Sequence, residues 1–299
     1  MAAQTANRLL KPEVLARLGS LELVARTVVD GVTTGLHRSP HFGFSQEFAE
    51  YRAYNEGDDL RYVDWNVYAR TDRTYIKRFQ GETNTAVTLL LDASASMNFG
   101  TPVNKLHQGM YLLAALAYMA RKQHDAIGLA VFDESVRHYL APSARPDSLV
   151  RILGQLESTE AGAGTDIIAA LASLRASMSR RGLVIVASDF YADADELLAA
   201  LRPLAHQGQD VAVFHLLDVE EVEPSLTRTS ALRDLESDEA VIVDPAFLRN
   251  GYQSRFKAHC ASIEQACHRI GADYTRVMTD EPLDAALQSY LRFRERRGR

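Results

Sequence analysis

Ala86-Val-Thr-Leu-Leu-Leu-Asp-Ala-Ser-Ala-Ser-Met97 is a run of apolar residues that stops at Asp92 and continues with alternating hydroxyls at Ser94 and Ser96. A short, leucine-rich run that closes on polar residues is the pattern of a buried parallel strand whose carboxyl end opens into a loop. Open α/β sheets bind their ligands at such ends. Asp92, Ser94 and Ser96 put a carboxylate and two hydroxyls on one short loop, hard oxygen donors of the kind Mg²⁺ takes in preference to imidazole or thiolate. The same residue types form ordinary loops and helix caps, so the plainer alternative is that Asp92 only caps the turn behind the strand.

Two later segments favour the metal. Gly162-Ala-Gly-Thr165-Asp166 leads into an amphipathic helix, so Thr165 can present its hydroxyl from a loop, and Val184-Ile-Val-Ala-Ser-Asp189 is a second buried strand ending in a carboxylate. In order and separation, the three pieces resemble the metal-ion-dependent adhesion site of the von Willebrand factor A family. Upstream, Glu47-Phe48, Arg52-Ala-Tyr54, Gly57-Asp-Asp59, Arg61, Asp64-Trp65, Ala69-Arg70 and residues 77–82 resemble the signature of DUF58, a bacterial family of unknown function in which this stretch precedes a von Willebrand A-like domain. The likeness is clearest over residues 35–132 and continues weakly to the end.

Outward from the first strand, the alternation of apolar runs and helical spacing is regular. Strands are expected near residues 87–91, 126–132, 183–188, 211–217 and 274–278, with a short pairing strand at 137–140. Helices are expected near 105–122, 147–156, 166–179, 194–205, 246–270 and 282–296. Strands separated by helices specify a doubly wound, mostly parallel α/β sheet. Residues 232–243, split by Ser237-Asp238, read as a small polar β-hairpin inserted near 229–244. Residues 12–29 carry helical spacing, and 47–82 mix aromatics with charge, with a turn at 55–59 and a strand at 75–79. The expected division is residues 1–84, a helix and signature segment packed on the sheet, and 85–299, the von Willebrand A-like domain. Within the signature, Trp65 reads as an apolar anchor with Arg61 and Arg70 paired to acidic neighbours. A recognition surface is the alternative.

Composition narrows the function. The net charge is -6, with 33 basic against 39 acidic side chains, a balance that argues against general nucleic-acid binding. The apolar runs at 112–120 and 183–187 are too short to span a bilayer, and residues 1–11 lack the apolar core of a secretory signal, so a cytoplasmic location is expected. Cys260 and Cys267, seven apart on an expected helix, are separated by about 10 Å of rise and read as buried thiols. The chain carries no G-x-x-x-x-G-K-[ST], G-x-S-x-G or H-E-x-x-H motif.

The resemblance implies Ser94 and Ser96 as direct ligands of Mg²⁺ (or Mn²⁺ or Ca²⁺), Thr165 as a direct or water-bridged ligand, and Asp92 and Asp189 as mainly outer-sphere acceptors. Such an ion, held largely by neutral hydroxyls, keeps an open position that a partner's acidic group can fill. The expected function is a non-catalytic, metal-dependent binding module. Kinship further implies a MoxR-type AAA+ ATPase as partner in assembling or activating complexes. One rival is a Mg²⁺-dependent phosphoesterase-like hydrolase with a strand-end Asp as nucleophile, against which stands the shortage of acid-base groups, Lys105 being the one lysine just past the loop. A structural scaffold with a degenerate site is the other.

Overall fold

The computed structural model describes residues 12–35, 48–54, 63–71, 73–79, 85–162, 164–178, 181–225, 228–235, 240–245 and 251–297. In chain order the strands are β1 (Phe48–Ala53), β2 (Tyr75–Phe79), β3 (Ala86–Asp92), β4 (Ala126–Phe132), β5 (Val136–Ser143), β6 (Gly182–Ser188), β7 (Asp210–Leu217), β8 (Ser230–Arg233), β9 (Ala240–Val243) and β10 (Asp273–Met278). The helices are α1 (Pro12–Leu15), α2 (Leu21–Gly35), α3 (Trp65–Thr71), α4 (Lys105–Lys122), α5 (Ser148–Glu157), α6 (Ile167–Arg175), α7 (Ala194–His206), α8 (Val219–Val222), α9 (Gln253–Arg269) and α10 (Leu283–Arg297).

Six strands form the central sheet in the order β10-β7-β6-β3-β4-β5. All pair in parallel except β5, which runs antiparallel to β4 at one edge. Leu89 of β3 pairs with Leu129 of β4 on one side and Ile185 of β6 on the other, which places the quoted strand at the centre. Because successive side chains point to opposite faces, β3 feeds two cores. Leu89 and Leu91 pack with α2, α4, α5 and α10 on one face, and Leu90 packs with α6, α7 and α9 on the other. A strand buried on both faces needs a near-continuous apolar run, and residues 87–91 are apolar except for Thr88, which is itself buried.

From β3 the chain proceeds outward to β4 and β5, then returns to lay β6 on the other flank of β3 and continues outward to β7 and β10. The strand order therefore reverses between β3 and β6, which opens a crevice at their carboxyl ends.

Several expectations need correction. Residues 12–29 form two helices in place of one, because Gly19 adopts φ +56 and turns the chain out of the helix before Ser20. The second, α2, runs on to Gly35. The helix expected from 166 to 179 stops at Arg175. The one expected from 246 begins at Gln253, with 246–250 outside the described residues. The inserted hairpin is β8 paired antiparallel with β9; its Ser237-Asp238 tip lies outside the described residues.

In the signature segment, β1 pairs antiparallel with β2 as a separate two-stranded sheet. Trp65 is no buried anchor: it is 58% exposed at the start of α3 and meets only the edge of Tyr68, at 6.0 Å, among the aromatic contacts of the described residues. Its helix turns the indole outward, whereas Val63 and Asp64 just before it are the buried members of that stretch. Glu47, Gly57, Asp58, Asp59, Arg61 and Glu82 lie outside the described residues. Cys260 and Cys267 are both buried and free, and burial pushes the Cys267 thiol up to about 12.

Candidate functional site

The expected metal set lies at the carboxyl edge of the sheet: Asp92 closes β3, Ser94 and Ser96 follow it into a short 3-10 turn, Thr165 precedes α6, and Asp189 follows β6. Asp92 is the last residue of β3 and is 1% exposed. Its Oδ1 accepts the Ser94 amide at 2.9 Å and its Oδ2 accepts the Ser188 hydroxyl at 2.6 Å. The first bond is the tight Asx-type turn that such residues form, and it swings the chain so that Ser94 and Ser96 share one side. Their hydroxyls lie 3.1 Å apart. The second bond ties β3 to β6, for Ser188 closes β6 and its Oγ also accepts the Phe190 amide at 2.9 Å. Phe190 stands at φ +50, a conformation uncommon outside glycine, and this sharp turn follows directly on Asp189.

The Thr165 loop is held down at two points. The Gly162 amide donates to the Ala93 carbonyl at 2.6 Å, and the Asp166 amide donates to the Asp133 carbonyl at 3.0 Å. A side chain at residue 162 would push aside the Asp133 carboxylate and come within 3.3 Å of the Ala93 oxygen, so the loop passes closest to the strand end where the residue is glycine. Asp166 then caps α6 by accepting the Ala169 amide at 2.8 Å, which fixes the residue beside Thr165.

Two oxygens of the set are left over. Among the described residues, the buried side-chain oxygens Thr165 Oγ1 and Asp189 Oδ1 find no hydrogen-bond partner. Native proteins leave few such atoms, and each calls for an explanation in strain, catalysis, water or an ion. The charge pattern agrees. Burial, and then the neighbouring Asp189 charge, push the Asp92 carboxyl up to about 7, against the smaller opposing effect of its bonds from Ser188 and Ser94. Two carboxylates, two paired hydroxyls and a third hydroxyl fit a small hard cation better than a soft one. Among the described residues no group of three or more His, Cys, Asp or Glu side chains stands poised for a metal, so an ion here would depend on the hydroxyls.

The sequence reading missed the layer beneath. Lys105, the first residue of α4, is 0% exposed, and its Nζ lies 2.7 Å from Asp189 Oδ2 and 2.5 Å from Glu221 Oε1. The Tyr191 ring lies 4.9 Å from the ammonium and the Phe99 ring 5.9 Å. Glu221 of α8 is saturated: it also accepts the Tyr191 hydroxyl at 2.9 Å and, in a capping box, the Asp218 amide at 2.9 Å. Burial alone would lower the Lys105 pKa, but Asp189 and Glu221 outweigh it and the ammonium is held above its ordinary value. One signal of this was in the sequence. Lys105 falls four, seven and eleven residues before Gly109, Leu112 and Leu116, on the buried stripe of its own helix.

His215 of β7 shows what this region does with an unused titratable group. It is buried with Nδ1 2.8 Å from the Tyr274 hydroxyl, and burial drives its pKa down to about 3, so it stays neutral.

Uncharacterized proteins of Mycobacterium tuberculosis (strain ATCC 25618 / H37Rv) and Mycobacterium bovis are each 28% identical over 291 residues, covering 95% of this chain and 91% of theirs. Among solved structures, BatB from Bacteroides thetaiotaomicron is 19% identical, with a TM-score of 0.48 over 70% of this chain and 98% of its own. A von Willebrand factor type A structure from Catenulispora acidiphila is 15% identical, with a TM-score of 0.33 over 64% and 44% of the two chains. The family described as protein of unknown function DUF58 matches residues 50–262, and the chain belongs to that family, with a doubly wound, mostly parallel α/β sheet.

Proposed function

We propose that the chain is a non-catalytic protein-binding module whose contact with its partner runs through a divalent cation, Mg²⁺ in the first place, at Asp92, Ser94, Ser96, Thr165 and Asp189. The observation that supports this most is the pair of buried, unpartnered oxygens, Thr165 Oγ1 and Asp189 Oδ1, contributed by separate loops at the sheet's reversal point. A bound ion would supply an electron-poor centre with a free coordination position for an acidic side chain of the partner. The protein's own part is to orient the donors. Asp92 holds the Ser94 turn with one oxygen and β6 with the other, which leaves it an outer-sphere role and leaves the direct contacts to hydroxyls.

The same engagement speaks against the hydrolase reading. A nucleophilic Asp92 would have to give up both hydrogen bonds and reach a substrate from a position that is 1% exposed. The partner we infer, from family kinship, is a MoxR-type AAA+ ATPase in the cytoplasm that provides hydrolysis while this chain provides recognition. Among the described residues no helix is long and apolar enough to cross a membrane.

The test is calorimetric titration of Mg²⁺ and Mn²⁺, followed by capture of the purified ATPase with Mg²⁺ and again with EDTA. Binding of the ATPase that is lost on chelation is the expected result. Absence of any ion binding, with and without the ATPase, overturns the proposal.

A further inference from the structure

Lys105 sits where a lysine is expensive. It opens α4 at the positive end of the helix dipole, immediately after the Asn104 cap, and it is fully buried. An apolar side chain of similar length would fill the space without desolvating a charge, and buried ion pairs are seldom the most stabilising choice. Nor does Lys105 complete its own network, since it engages only one oxygen of Asp189 and leaves the other bare. Stability therefore does not explain the arrangement.

We infer that Lys105 is a positioning residue that shares Asp189 with the incoming dication, Oδ2 for the ammonium and Oδ1 for the metal, and so holds the metal affinity of the site low until a partner adds an anionic donor. The inference rests on the metal-dependent reading above. Asp189 and Glu221 pair with the one ammonium, Lys105, and Asp92 stands close enough to Asp189 to feel its charge. Fully ionised, the group carries two net negative charges, the number a dication cancels. Without the ammonium, Asp189 could turn both oxygens toward the ion. With the ammonium in place, the site offers mostly neutral hydroxyls and is short of one anionic ligand. A partner carboxylate supplies that ligand, so metal and partner each raise the other's affinity. Glu221 sets the geometry by fixing Lys105 from the far side, itself anchored by the Asp218 amide and the Tyr191 hydroxyl.

The test is Mn²⁺ titration of the full chain near pH 8, followed by electron paramagnetic resonance and by the ion-induced shift in thermal midpoint. The proteins are the wild type, Lys105→Met and the double variant Lys105→Met/Glu221→Gln. The double variant removes the carboxylate that the single change strands, and so preserves the fold if the single variant does not. Lys105→Met should bind Mn²⁺ about tenfold or more tightly than the wild type while its metal-free midpoint falls, as loss of a nearby like charge requires. The double variant should move affinity in the same direction with a smaller drop in midpoint. A merely structural lysine would lower the midpoint and leave affinity unchanged or weaker. A cooperatively melting double variant with wild-type or weaker affinity would overturn the inference. Failure of the functional reading is seen in a different sample, a wild type that binds no Mn²⁺; a double variant that gained binding in that case would still support the role of Lys105.

Discussion

Asp92 lets the electrostatics of the site be tested without any partner. Its carboxyl is raised from 3.8 to about 7, by burial first and the Asp189 charge second. A carboxyl that binds its proton more tightly in the folded state contributes stability that is fully present below the unfolded pKa and is lost as pH rises through the folded one. The window runs from 3.8 to about 7, roughly 3 pH units at about 1.36 kcal/mol each, or about 4 kcal/mol in all. Asp92→Asn removes the titration and keeps the shape: the amide oxygen can accept the Ser94 amide, and the amide nitrogen can donate to Ser188 Oγ. Other groups titrate nearby. Asp125, raised by burial to about 6, acts in the same direction; His215, lowered by burial to about 3, acts in the opposite one, its stability lost as pH falls through the ordinary imidazole range. Both contribute alike to wild type and variant, so the difference between the two proteins reports the coupled Asp92–Asp189 pair. Urea unfolding without metal at about pH 5 and about pH 8 should show the advantage of Asp92→Asn growing by about 3 kcal/mol, the part of the window between those values. Saturating Mg²⁺ at the higher pH should erase that growth by stabilising the ionised wild type. A difference that stays constant between the two pH values would refute the electrostatic account.

Ser96→Ala should leave the sheet intact and weaken Mg²⁺ binding, and Asp92→Ala should weaken it further while the metal-free protein melts at the same or a higher temperature; equal Mg²⁺ affinities by calorimetry in all three proteins would remove the ligand assignment. Gly162→Ala, whose new methyl meets Asp133 and the Ala93 carbonyl, should cost about 1–3 kcal/mol and lower Mn²⁺ affinity by displacing Thr165. Wild-type values for both would show that the close approach is dispensable. A chain starting at Thr85 lacks Val24, Ala25, Val28, Val29 and Val32, all buried in the core that α2 shares with α4. Their burial is worth on the order of 10 kcal/mol, comparable to the whole stability of a domain. That chain should be insoluble or bind hydrophobic dye without a cooperative melt, and a full-length-like melt would make the segment detachable.

The sheet was legible because its strands are buried on both faces, so that near-continuous apolar runs such as residues 87–91, broken only by Thr88, and 183–187 mark them. The edges were less so. Gly19 reads in sequence as a tolerated interruption of a helix, and only its φ of +56 shows that it ends one. Trp65 carried the strongest prior for burial in its segment and lies exposed at the start of α3, while Val63 and Asp64 just before it are buried. Composition assigns a tryptophan a tendency, and topology decides which side of the helix it occupies.

The site divides along the same physical line. Asp92, Ser94, Ser96, Thr165 and Asp189 could be named from sequence because strand-end loops advertise their donors locally, by residue type and spacing. Lys105 and Glu221 could not, because their meaning lies in long-range neighbours: Lys105 is 84 residues from Asp189 and 116 from Glu221 along the chain, and only the crossing of α4 behind the ends of β6 and β7 makes them partners. A lysine in the first turn of a helix normally reads as a solvated charge. Here the charge faces inward and removes one oxygen of Asp189 from the set that the motif suggests. The resemblance alone gives the site Asp92 and Asp189 as mainly outer-sphere acceptors. The fold leaves it an Asp92 committed to hydrogen bonds and half of an Asp189, a weaker anionic donor set whose shortfall a partner's carboxylate is chemically suited to make up.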